Sequence, residues 1–109
     1  MVENSISLDS AMTKIQKHIP EPARLEQMAE ECTELAQALL KKARKIRGEN
    51  FTPRNMEEIN KNITEEYTDV ILCAVSLGLT VDTEVYSEKL TRWIERNKNV
   101  IEGVKNENN

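Results

Sequence analysis

Aromatic side chains are scarce in this 109-residue chain: one Trp, one Phe and two Tyr, 4% of the residues. Glycine and proline number three each. Turns must therefore be few, which disfavours a fold of many short strands and favours long helices. No apolar run is long enough to span a bilayer; the longest, "VILCAVSLGL" from Val70 to Leu79, is about half the length required. Cys32 and Cys73 are the two cysteines, each set among apolar helical positions. Two make a poor disulfide framework and read as buried thiols in a reducing compartment. The opening "MVENSISLDS" lacks the basic-then-apolar order of a secretion signal. A net charge of −4 weighs against a protein that coats nucleic acid. Together these absences predict a cytoplasmic protein, with neither nucleic acid nor membrane as a partner.

What is present fits one globular domain over residues 1–109, with 39% apolar and 31% charged residues. Leu8, Ala11, Met12, Ile15 and Ile19 follow helical spacing, and Pro20 and Pro22 in "IPEP" break that first helix. Pro22 is placed to open the next one. The second helix carries a stripe of Leu25, Met28, Ala29, Cys32, Leu35, Ala36, Leu39, Leu40, Ala43 and Ile46, with Gly48 as its stop. "ENFTPRN" is a connection in which Thr52 is the expected cap and Pro53 the first helical residue. Met56, Ile59, Ile63, Val70, Ala74 and Leu77 mark a third helix ending near Gly78. A fourth runs from about Asp82, with Val85, Tyr86, Leu90, Trp93, Ile94 and Asn97 on helical spacing. A polar tail from about residue 103 is expected to fray. The predicted fold is all-α, a four-helix bundle-type protomer.

Two acidic clusters, "EECTE" at Glu30–Glu34 and "EEYTD" at Glu65–Asp69, stand on different predicted helices. Glu31 and Glu34 lie about 60° apart on a helix and can converge on one ion. Both are read as pointing away from the Leu25–Ile46 stripe, so alone they describe a solvated face. Glu66 and Asp69 repeat the spacing, and the turns after Asp69 are apolar nearly all round, which predicts a helix buried on most sides. Two carboxylates where burial begins carry a desolvation cost and repel each other. Lys61, the nearest cation in sequence, lies eight residues before Asp69. A divalent cation held jointly with Glu31 and Glu34 removes both costs.

Carboxylates without His or Cys suit the hard ions Mg²⁺ or Mn²⁺. His18, the sole histidine, is a surface or capping group, and Glu-x-x-His pairs of the di-iron kind are missing. An acid-only Mg²⁺ site points to phosphate-ester or phosphoanhydride chemistry. Cations for a polyphosphate are available in "KKARKIR" (Lys41–Arg47), in Arg54, and in Lys89, Arg92, Arg96 and Lys98. Each such run is by itself also an ordinary solvated face.

The order Glu-Glu-x-x-Glu (Glu30, Glu31, Glu34) then Glu-x-x-Asp (Glu66, Asp69), framed by "LEQMAEECTELAQALLK", "EEYTDVILCAVSLGLTVD" and the "RN" of Arg96 and Asn97, resembles the MazG-like all-α nucleoside triphosphate pyrophosphohydrolases. The resemblance covers the chain from the second helix to the fourth. It implies Mg²⁺-dependent cleavage of the α–β phosphoanhydride of an NTP or dNTP, giving the monophosphate and pyrophosphate. By the same resemblance Glu31, Glu34, Glu66 and Asp69 are metal ligands, and Glu30 or Glu34 is the general base. Lys89, Arg92, Arg96 and Asn97 are implied phosphate contacts. Phe51, Tyr67, Trp93, Gln27 and Asn97 are the groups available to hold a base. The family also implies a homodimer, or a dimer of dimers forming a homotetramer. "KIRGENFTPRN" lengthens the stretch between Glu34 and Glu66 relative to compact members, a departure that bears on the substrate pocket.

A rival reading is a non-catalytic helical interaction module, its apolar stripe serving a partner helix; another keeps the fold and binds nucleotide without turnover. The first leaves the Glu66–Asp69 pair unexplained, and the second has no positive support while every acidic position is intact. A DNA-binding helix–turn–helix would need a basic recognition helix after a tight Gly-containing turn, and none is found.

Overall fold

A computed structural model describes residues 7–49 and 55–103 of the chain. Among the described residues the structure is all-α, and no helix is long and apolar enough to cross a membrane. The chain divides into two compact units, Met1–Leu79 and Thr80–Asn109.

Among the described residues, three helices make the first unit. Helix α1 (Leu8–His18) is capped by Ser7, whose hydroxyl accepts from the Ser10 N–H at 2.9 Å. Helix α2 (Glu21–Arg47) begins just after Pro20 with Pro22 in its first turn, where a missing N–H costs nothing. It stops at Gly48, whose φ of +73° suits the left-handed cap and turns its N–H back to the Arg44 and Lys45 carbonyls. Helix α3 (Met56–Ser76) starts at a capping box. The Glu58 N–H donates to Asn55 Oδ1 at 2.8 Å, and the Asn55 N–H donates to Glu58 Oε1 at 3.2 Å. The helix therefore starts at Met56, later than a cap at Thr52 would have it; Thr52 and Pro53 lie outside the described residues. Gly78, at φ +71°, turns the chain away after α3.

Helices α2 and α3 pack along their length. On α2 the buried or half-buried positions include Arg24, Met28, Glu31, Leu35, Ala38, Lys42 and Lys45, in steps of four and three. On α3 Met56, Ile59, Ile63, Glu66, Val70, Cys73 and Leu77 keep the same rhythm. Such a repeat holds one face of each helix against the other. The buried centre is small: Ala38, Ile59, Val70 and Ser76. Helix α1 docks on α3 through Gln16, whose Nε2 donates to the Ser76 carbonyl at 3.1 Å.

Four sequence-based expectations differ from the structure. The broad α2 stripe splits into two rows, and only the Met28–Leu35–Ala38 row meets α3. Leu25, Leu39, Leu40 and Ile46 are exposed, because they lie to one side of the packed row, roughly 50° to 170° around the helix from it. Glu31 therefore lies within the packed face, not away from it. The turns of α3 after Asp69 are buried on one side only, since Ile71, Leu72 and Val75 are all exposed. Finally, Cys32 is exposed and Cys73 half-buried, both free thiols.

In the second unit, Asp82 caps helix α4 (Thr83–Arg96) by accepting from the Val85 N–H at 3.0 Å. A single-turn helix α5 (Lys98–Ile101) follows. No residue of α4 is buried. The expected fraying tail falls mostly outside the described residues.

Candidate metal centre

Heptad-like packing brings Glu31 of α2 and Glu66 of α3 into the seam between the helices, and Glu34 stands one turn along from Glu31. One carboxylate oxygen from each of Glu31, Glu34 and Glu66 lies within 4.8 Å of the other two. Acidic groups meet on many exposed helix faces without purpose, and Glu34 is itself exposed. Two features distinguish this cluster. It is flanked in the packed rows by Met28 and Leu35 on α2 and by Ile63 and Val70 on α3. In addition, Glu31 Oε1 and Glu66 Oε1 are both buried without a hydrogen-bond partner, a condition native proteins generally avoid.

The electrostatics follow from that placement. Burial pushes the Glu66 carboxyl above its ordinary range, and the charges of Glu34 and Asp69, hydrogen bonding with the Glu34 side chain, and the charge of Glu31 push it further. Every contribution disfavours a second negative charge. The exposed ion pair Arg47–Glu49, at 3.7 Å beyond the end of α2, involves no member of the cluster. Burial also raises the Cys73 thiol, followed by the Glu31 and Asp69 charges and Cys32. The Cys73 sulfur is not among the atoms that converge with the carboxylates. The effective donors are carboxylates alone, a set that fits Mg²⁺ or Mn²⁺.

The remaining sequence-derived residues fall in different places. Asp69 is exposed; its charge acts on Glu66, but its oxygens are not among the three that converge. Glu30 is exposed and outside the cluster. Gln27 donates through Nε2 to Glu31 Oε2 at 2.7 Å. Lys89, Arg92 and Arg96 share an open, exposed face of α4 with Tyr86, Leu90, Trp93 and Glu95. Asn97 is not part of it; its Nδ2 donates to the Trp93 carbonyl at 2.8 Å and closes the end of α4. Tyr67 is exposed on α3, and Phe51 and Arg54 lie outside the described residues. His18 is a surface group, as expected, with Nδ1 donating to the Lys14 carbonyl at 2.9 Å.

Arg24 was not singled out by sequence. Its guanidinium donates through Nη1 to the Ser76 carbonyl and through Nε to the Ile19 carbonyl at 2.9 Å. It thereby ties the α1–α2 turn to the C-terminal end of α3, where a cation complements the helix dipole. A lone Arg early in a helix carries no pattern that announces such a contact. No family model, curated protein or solved structure matches this chain.

Proposed function

We propose that the chain is a MazG-like nucleoside triphosphate pyrophosphohydrolase that uses Mg²⁺, or Mn²⁺ in its place. The observation carrying this reading is the convergence of Glu31, Glu34 and Glu66 in a helix seam, with two buried carboxylate oxygens left unpartnered. Glu31, Glu34 and Glu66 would hold the ion, and Asp69 adds negative charge beside them. When bound, Mg²⁺ supplies positive charge against the phosphate oxygens and acidifies water there.

The chain's own groups account for the rest of the proposed reaction. A water oxygen bonds to phosphorus, its proton passes to a carboxylate, and the α–β bridging P–O bond breaks to leave a monophosphate and pyrophosphate. Of the two candidate bases, Glu34 is favoured over Glu30, because Glu34 shares the cluster and Glu30 does not. Lys89, Arg92 and Arg96 are the cations proposed for the polyphosphate, with Trp93 and Tyr86 beside them on α4 for an apolar or stacking contact.

The proposed protomer is a four-helix bundle-type subunit of a homodimer or homotetramer in the cytoplasm. The exposed Leu25, Leu39, Leu40 and Ile46 of α2 and Ile71, Leu72 and Val75 of α3 support that assembly. Covering such a side chain is worth roughly 1.5–3 kcal/mol. The same rows favour, as a second reading, a non-catalytic helical interaction or nucleotide-binding module. Pyrophosphate release from a panel of ribo- and deoxynucleoside triphosphates, with Mg²⁺ and with EDTA, separates the two. Metal-dependent pyrophosphate with a matching monophosphate supports the enzyme. No release from any nucleotide favours the module.

A further inference from the structure

The geometry points to Gln27 as a positioning residue that orients Glu31 for a divalent cation, in place of the base contact that sequence reasoning allowed it. This inference rests on the metal reading above. Gln27 and Glu31 are one turn apart on α2, the i to i+4 relation in which side chains meet. The Gln27 amide donates to Glu31 Oε2 at 2.7 Å, while Glu31 Oε1 is the buried atom without a partner. The two oxygens of one carboxylate are thus sorted into different tasks. Oε2 is satisfied from the exposed side by Gln27, and Oε1 is left buried and open.

The residue type matters as much as the contact. A Lys or Arg at position 27 would satisfy Oε2 equally well but would also neutralise Glu31, lowering the attraction of the cluster for a cation. An amide donates without adding charge. It also holds a side chain with several rotatable bonds in one orientation before any ion arrives, so less freedom is lost on binding. Outer partners of metal-ligating carboxylates commonly act in this way. Gln27 is exposed, so its contact with Glu31 is not imposed by a packed core.

The test uses the full chain and Mn²⁺ alone, with the dissociation constant read by the loss of free-ion EPR signal. Gln27→Met keeps the length and helix preference of the side chain and removes the donor. Gln37→Met, on the exposed side of the same helix, is the control. The expected result is Mn²⁺ binding weakened roughly 10- to 100-fold in Gln27→Met, an unchanged constant in Gln37→Met, and equal helical circular dichroism in both. Gln27→Met binding Mn²⁺ within about twofold of the wild type overturns the positioning role but leaves the metal centre standing. Wild-type chain that binds no Mn²⁺ overturns the metal reading and this inference with it.

Discussion

Glu31 of α2 and Glu66 of α3 meet across the helix seam, each with its Oε1 atom buried and without a hydrogen-bond partner. Removing either partner alone would relieve the other, so the pair opposes the fold at neutral pH unless a cation intervenes.

Glu66→Gln should raise the melting temperature of metal-free protein at pH 7 and weaken its response to Mn²⁺. The Glu66 carboxyl titrates above its ordinary 4.5 in the folded chain, so the folded state holds its proton more tightly than the unfolded state. The resulting stabilisation is fully present below that ordinary value and is lost as pH rises through the raised folded one. Wild-type metal-free protein should therefore melt higher just above pH 4.5 than this group allows at pH 7, and the variant should lack that component. Equal melting curves for the two proteins at both pH values would contradict the assignment of burial and repulsion to Glu66.

Glu31→Gln should reduce pyrophosphate release by roughly 100-fold or more, with helical circular dichroism retained. Asp69→Asn should also impair turnover, but less, because its oxygens stand outside the convergent three. Steady-state kinetics at saturating Mg²⁺ give the comparison. Comparable turnover in Glu31→Gln and the wild type would remove Glu31 from the site.

Arg24→Ala should destabilise the chain by about 1.5–3 kcal/mol, the range for a hydrogen bond from a charged donor. Gln16→Ala should cost about 0.5–1.5 kcal/mol. Both side chains donate to the Ser76 carbonyl, so the double variant should lose more than the sum of the two. Chemical denaturation supplies all three values, and strict additivity would show that the shared acceptor does not couple them.

Sedimentation of the wild-type chain should reveal a dimer or larger species, and Leu39→Glu should shift it towards monomer. Leu39 is 48% exposed in the outward α2 row with Leu25 and Ile46, where a carboxylate would oppose any apolar contact. A wild-type monomer at every concentration would refute the assembly.

Much of the helical order was legible because apolar spacing, Gly48 and Asp82 mark ends with a definite local chemistry. The start of α3 was not: Pro53 suggested an early entry, yet the Asn55–Glu58 pair forms the reciprocal cap. The pattern "NMEE" held that information all along. The packed face of α2 was harder still. Its apolar residues span two adjoining rows, and periodicity cannot say which one a neighbour covers. Packing on α3 buries the row with Ala38 and carries Glu31 into the seam, a consequence of helix pairing that no single-helix pattern contains. The Glu31–Glu34 and Glu66–Asp69 spacings were legible, whereas the meeting of Glu31, Glu34 and Glu66 across the seam and the bond from Gln27 depend on how the two helices pack.

Whether the Glu31–Glu34–Glu66 cluster holds a metal ion is read from anomalous difference density in crystals of the chain soaked in Mn²⁺. A peak is expected within coordination distance of Glu31, Glu34 and Glu66, with Glu31 Oε1 and Glu66 Oε1 among its ligands. A fully occupied Mn²⁺ elsewhere, with those two oxygens still unpartnered, would contradict the metal centre.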